Sequence, residues 1–263
     1  MDPDRTAAAL HAARREGTRV PPGDVSPSIE EAYRVQAALD ALADSAHVGF
    51  KLGATLDGAL RTLDLERSFH ASLFAGHQYT DGAEVAIFDA HATSVETEFV
   101  VTLGEDVAPE ADAATVRAAT ASVRPGFELV ATRYDMTLPG NGTRLVADAG
   151  GHSATVLGEA VAEGAWKALD LESHPATLAI DGEVRAEGHS GQSIGGSPFA
   201  MIAWLLSRPV LAGRGLKSGE LVYCGSCTGM LPVVVGNRLE GDFGALGRVR
   251  ATLVRADERI ASR

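Results

Sequence analysis

The stretch SVETEFVVTL, Ser94 to Leu103, has the composition of a buried β-strand with two charges set inside it. Val95, Phe99, Val101 and Leu103 are the β-branched or large apolar residues that strands favour. Glu96 and Glu98 interrupt them two residues apart. Side chains alternate faces along a strand, so both carboxylates project to the same side, roughly 7 Å apart along the chain. Two such charges repel and resist burial unless something compensates them. Solvent on an edge strand, arginine partners or a hard cation would each suffice.

A second strand-like run narrows the choice. PGFELVATR, residues 125–133, places Glu128 between Phe127 and Leu129. Three carboxylates in apolar strand contexts form an oxygen-rich ligand set of the kind that Mg²⁺ or Mn²⁺ takes. An octahedral ion held by three carboxylates keeps about three positions for water or substrate, which suits a Lewis acid gripping a 2-oxo acid by its carboxylate and keto oxygens. Lys51, in GFKLG, is a fourth polar residue in an apolar run. Read from the strand alone, it is an exposed edge residue, a proton-transfer group or a fixed positive charge for a substrate carboxylate.

The rest of the chain sets bounds on this chemistry. With 263 residues, 45% hydrophobic and 22% charged, it has the make-up of an ordinary soluble domain with a sizeable core. A net charge of −12 and no basic patch argue against a nucleic-acid partner. No apolar run reaches the roughly 18 residues of a membrane span, and the N-terminus lacks the apolar core of a secretory signal. A cytoplasmic location is expected. The two cysteines, Cys224 and Cys227, form CGSC. The following Pro232 and β-branched residues suggest a strand-turn-strand with the thiols packed inside, rather than a redox motif or a zinc site.

The N-terminal third reads as helical, with Ser28 and Glu31 forming a capping box ahead of IEEAYRVQAALD. HVGFKLGATL is a short strand, and LDGALRTLDLERSFHASLF a helix-like or irregular segment. From about Gly82 onward strands dominate, interrupted by helices at DAATVRAATASV and PFAMIAWLLSRP. Asp181-Gly182 is a type I′ hairpin signal. Regular βαβ alternation is absent, which indicates an α+β chain with mainly antiparallel pairing. The glycine-rich GHSGQSIGGSPF lacks the Lys-Ser/Thr of a P-loop and reads as a loop into a helix.

Eight segments occur in a telling order: IEEAYRVQ, GFKLG, VETEFVVTL, PGFELVATR, VADAGGHSATVLG, GEVRAEG…GGSPFAMIAWL, LKSGELVYCGSCTGMLPV and GALGRVRATL. Over residues 27–254 the chain resembles the 2-keto-4-pentenoate hydratase and 4-oxalocrotonate decarboxylase branch of the fumarylacetoacetate hydrolase superfamily. The resemblance implies an α+β fold with a mixed β-roll or sandwich core. A helical region, 1–75, would pack on a β-rich core, 76–263, as one structural unit. It implies a Mg²⁺ or Mn²⁺ cofactor on Glu96, Glu98 and Glu128, a catalytic Lys51, and a homo-oligomer acting on a small-molecule 2-oxo acid. Substrate contacts fall on Leu63, on the segment Asp148 to His152 with Ser153 beyond it, and on Ser226 beside Gly225.

Two departures from the family pattern are visible. The family's PDYG or PDFG segment reads Ser68-Phe69-His70-Ala71, so Phe69 lines the pocket in place of an aspartate. The asparagine after the family's Asp reads Ala149. His70 and His152 bring imidazoles into the same segments, and His70 is the candidate second catalytic group. The function implied is a metal-dependent carbon–oxygen lyase, a hydratase of a small unsaturated 2-oxo acid working through a stabilised dienolate. The alternatives are a decarboxylase of a vinylogous 2-oxo diacid, a tautomerase or C–C hydrolase, and a non-catalytic partner subunit.

Overall fold

A computed structural model describes residues 2–161 and 164–256 of the chain. Helices α1 (Pro3–Glu16) and α2 (Ile29–Asp40) precede strand β1 (His47–Gly53), helix α3 (Asp57–Leu63) and strand β2 (Phe69–Phe74). Strands β3 (Gln78–Thr80), β4 (Ala83–Ile87) and β5 (Ser94–Leu103) follow, then α4 (Ala113–Ala118), β6 (Thr120–Val130), α5 (Gly142–Ala147) and β7 (His152–Leu157). The last third holds β8 (Pro175–Ile180), β9 (Glu183–His189), α6 (Pro198–Leu206), β10 (Leu221–Ser226), β11 (Leu231–Pro232), β12 (Arg238–Asp242) and β13 (Arg248–Arg255).

The strands form two curled sheets. The larger runs β2-β1-β10-β5-β6-β7-β3, with β11 also paired to β5; the smaller runs β4-β13-β12-β8-β9. Most neighbours are antiparallel, but β1–β10, β3–β7 and β4–β13 are parallel. Between the sheets lies the main core. Val95, Phe99, Val101 and Leu103 of β5 enter it with Phe127 and Leu129 of β6, against Val85, Leu178, Leu239, Val249 and Leu253 of the smaller sheet. A fully buried side chain of this size contributes roughly 1.5–3 kcal/mol, so the apolar parity of β5 is fixed firmly. Glu96 and Glu98 must then face the opposite side.

That opposite side is also covered. Helices α1, α2 and α5 pack together over it, contributing Leu10, Val35, Leu39 and Leu145 to a second core with Leu63, Phe69 and Ala71. The capping box expected at α2 is present, with the Glu31 N–H donating to Ser28 Oγ at 3.2 Å and the Ser28 N–H to Glu31 Oε2 at 2.8 Å. The Asp181-Gly182 turn has φ values of 54° and 85°, as a type I′ hairpin requires.

Several local expectations need correction. FHASLF is strand β2, because pairing with β1 overrides its weak local preference. The helix expected over DAATVRAATASV stops at Ala118, and Thr120 to Val123 pair with β5 instead. Helix α5 was not legible at all. The segment 1–75 carries β1 and β2 into the large sheet alongside its three helices, and residues 257–263 of the segment 76–263 lie outside the described residues. No helix among the described residues is long and apolar enough to cross a membrane.

Candidate metal centre and active site

Register assembles the acids. β5 and β6 pair so that Glu96 lies opposite Glu128, while Glu98 lies opposite Ser226 of β10. Side-chain oxygens of Glu96, Glu98 and Glu128 all fall within 4.8 Å of one another. Glu98 and Glu128 are fully buried, with Glu98 Oε1 and Glu128 Oε2 lacking any hydrogen-bond partner. Buried acceptors left unpaired cost free energy. An ion about 2.1 Å from each ligand oxygen spaces those oxygens roughly 3–4 Å apart, so the residues present fit a hard divalent cation.

The electrostatics point the same way. Burial, followed by the charge of Glu128, pushes the Glu96 carboxyl up to about 7, partly offset by Lys51 and the Ser226 hydroxyl. Glu98 is raised well above the ordinary carboxylate range by burial and by its two acidic neighbours. Burial would raise Glu128 as well, but Lys51 and His152 outweigh it and hold that carboxyl low. Without a cation the cluster therefore retains protons that a metal would displace.

Around the acids the backbone is arranged for contact. The Gly225 N–H donates to Glu98 Oε2 at 2.6 Å. Its φ of 98° and the 2.2 Å separation that a Cβ there would have from Thr55 Oγ1 leave room for glycine alone. Lys51 is 1% exposed, with Nζ 3.1 Å from Glu128 Oε1 and donating to the Gly150 carbonyl at 2.9 Å. An ammonium carries three protons, so one remains for a ligand. His152 Nδ1 sits 3.2 Å from Glu128 Oε1. Burial holds this imidazole down at about 4; being neutral at pH 7, and facing an acceptor-only carboxylate, it carries its proton on Nδ1 and donates it. Such outer partners orient metal-binding carboxylates.

The turn that supplies Gly150 and His152 is clamped by a buried ion pair. Asp148 accepts from Arg133 Nε at 2.8 Å, from the Arg133 N–H at 2.7 Å and from Thr132 Oγ1 at 3.1 Å. Arg133 also donates to the carbonyls of Ala131, His152 and Asp148. Asp148 is thus consumed inside the protein and does not reach the cavity, contrary to the substrate contact expected of it. Arg133 was missed. A lone arginine closing an apolar strand, in FELVATR, was the available signal.

A cavity of about 270 Å³ opens beside the acids. Lys51 and Glu96 supply its charged lining, and the remaining wall includes the expected Leu63 and Phe69 with Leu56, Val130, Leu138 and Leu145. His70 is not brought to this site. It pairs with Leu52, so it shares that residue's face of β1–β2, while Lys51 pairs with Ala71 on the other. There the His70 ring stacks on Tyr33 at 4.7 Å, and burial depresses it to about 4. Neither Ser153, half-buried, nor Ser226, which lies opposite Glu98 on β10, is among the residues that line the cavity.

The 2-keto-4-pentenoate hydratase of Burkholderia vietnamiensis (strain G4) is 30% identical over 264 residues, which cover 96% of this chain and 99% of that protein. The chain belongs to the 2-keto-4-pentenoate hydratase family. This family lies in the fumarylacetoacetate hydrolase superfamily, and the fold agrees. The 4-oxalocrotonate decarboxylase from Pseudomonas putida G7, complexed with magnesium and adipate, superposes with a TM-score of 0.85 at 21% identity, covering 96% of this chain and 97% of that one. A relative of another name, REH2-associated factor 2 of Trypanosoma brucei brucei, is 30% identical over 188 residues, 71% of this chain and 64% of that protein. No family model matches the chain.

Proposed function

We propose that this hydratase-family protein is a divalent-metal-dependent carbon–oxygen lyase that adds water to a small unsaturated 2-oxo acid. The observation that carries the reading is the convergence of Glu96, Glu98 and Glu128, two of them with unpartnered buried oxygens, beside Lys51 at one end of an apolar cavity. Mg²⁺ or Mn²⁺ is the expected ion, and when bound it supplies Lewis-acid stabilisation of negative charge developing on the substrate's oxygens. The protein's own groups do the rest. Gly225 and His152 hold Glu98 and Glu128 in place. Lys51, fixed by Glu128 and Gly150, presents its remaining N–H to the cavity, where it can hold the substrate carboxylate or move a proton at the substrate carbon skeleton. The apolar wall excludes bulk water and strengthens these charges.

Decarboxylation of a 2-oxo diacid has one observation in its favour. Besides Lys51 and Glu96, the cavity lining among the described residues offers no titratable side chain to activate water. Against it, the lining among the described residues offers no second cationic side chain for a distal carboxylate. Incubating 2-hydroxypenta-2,4-dienoate with protein and Mg²⁺ in H₂¹⁸O tests the proposal. Loss of the dienoate absorbance with ¹⁸O in a new C4 hydroxyl of the product, abolished by EDTA, is the expected result; ¹⁸O confined to the exchangeable 2-oxo group would indicate tautomerisation alone. CO₂ release from 4-oxalocrotonate without turnover of the dienoate would select the decarboxylase instead. Inertness of the metal-loaded protein toward both would favour a non-catalytic role.

A further inference from the structure

Phe69 is seated in an unusual way. A Cβ at Gly53 would stand 2.2 Å from its ring Cζ, and a Cβ at Gly150 would stand 2.5 Å from its Cε2. Two glycines thus make the space that the ring fills, and Gly150 additionally has a φ of 64°, which disfavours a side chain there. The Lys51 ammonium lies 5.0 Å from the ring centroid. Phe69 therefore stands where the charged end of the cavity gives way to its apolar end, beside Leu63, Val130, Leu138 and Leu145.

We infer that Phe69 is the specificity-determining residue of this cavity, selecting acids whose tail is a planar, uncharged hydrocarbon as large as a phenyl ring. The inference rests on the reading of the carboxylate cluster as the seat of a cation that holds a 2-oxo acid head. A tail leaving that head passes the Phe69 ring and meets a wall that, apart from the Thr62 hydroxyl, is apolar, where planar groups pack well. A second carboxylate there would be desolvated with no partner. The cavity offers about 270 Å³ for such an acid.

The test measures affinities of three commercial probes for the Mg²⁺-loaded protein by calorimetry: pyruvate as head alone, phenylpyruvate with an aryl tail, and 2-oxoadipate with a charged one. In the unmodified protein phenylpyruvate should bind about tenfold or more tighter than pyruvate, and 2-oxoadipate no tighter than pyruvate. The phenylpyruvate-to-pyruvate ratio should fall several-fold in Phe69→Leu and further in Phe69→Ala. Phe69→Leu keeps apolar bulk, should Phe69→Ala fail to fold. An unchanged ratio in the folded variants, or 2-oxoadipate binding as tightly as phenylpyruvate, would overturn the inference. Absence of any Mg²⁺-dependent pyruvate binding would instead overturn the reading of the metal centre beneath it.

Discussion

Removing the Asp148 carboxylate should separate stability from site geometry. Asp148→Ala deletes the acceptor for Arg133 Nε, the Arg133 N–H and Thr132 Oγ1, leaving a guanidinium that is 1% exposed without its counter-charge. Breaking a buried pair in this way costs about 3–5 kcal/mol. At roughly 2–4 °C per kcal/mol for a chain of this size, Tm should fall by about 6–20 °C. Carbonyl bonds from Arg133 to Ala131 and His152 survive, which places the expected loss toward the lower end. The double variant Arg133→Met/Asp148→Leu removes both charges and should recover most of the Tm, since apolar replacements of buried pairs are often neutral. It should not recover Mg²⁺ affinity, because Gly150 and His152 lose the clamp that aims them at Lys51 and Glu128. Differential scanning calorimetry and Mg²⁺ titration read the two effects independently. A Tm within about 2 °C of the parent in Asp148→Ala would refute the clamp, and full Mg²⁺ affinity in the double variant would refute its positioning role.

Three further outcomes follow from the site. Lys51→Ala should lower kcat by about 10²–10⁴ if Lys51 moves a proton, or act mainly on KM if it only holds a carboxylate; steady-state kinetics decide, and unaltered kinetics would remove it from the site. His70→Asn should leave rate and pH profile unchanged, since its ring lies on the other face of β2; a lost pH–rate limb would contradict that placement. The third concerns pH. Glu96 is raised to about 7 in the folded protein, so its contribution to stability is full below its unfolded value near 4.5 and is lost as pH rises through about 7. Metal-free protein should therefore lose stability between about pH 4.5 and 7, and the Tm gap between Mg²⁺ and EDTA samples should widen over that range. A constant or narrowing gap would count against shared protons in the cluster.

The sequence made the acids legible because charged residues inside apolar strands are costly and call for an explanation. Glu96, Glu98, Glu128 and Lys51 stand together in the structure for that reason. Parity was the harder matter. Phe69 and His70 are neighbours on a strand, so one faces the cavity and the other faces away. Residues 68–74 have no clear strand signature of their own, so nothing local distinguishes the cavity-facing Phe69 from His70. Asp148 was legible as important but not as to what it touches. Its partner Arg133 is 15 residues away and the two are brought together by the return of the chain through α5. His152 hydrogen-bonds Glu128 and is not among the cavity-lining residues, a placement that follows a bulge between β6 and β7 that no periodicity reveals.

A cation among the three acids is what the chemistry of this site depends on. Isothermal titration of Mg²⁺ and Mn²⁺ into EDTA-treated protein, beside the variant Glu98→Gln, measures this directly. The unmodified protein should bind one ion with release of protons, and a hundredfold excess over Kd should stabilise it by about 2.7 kcal/mol. Glu98→Gln should remain folded and lose most of that affinity. Equal binding by both proteins, or no binding by either, would contradict the assignment of Glu96, Glu98 and Glu128 as the metal centre.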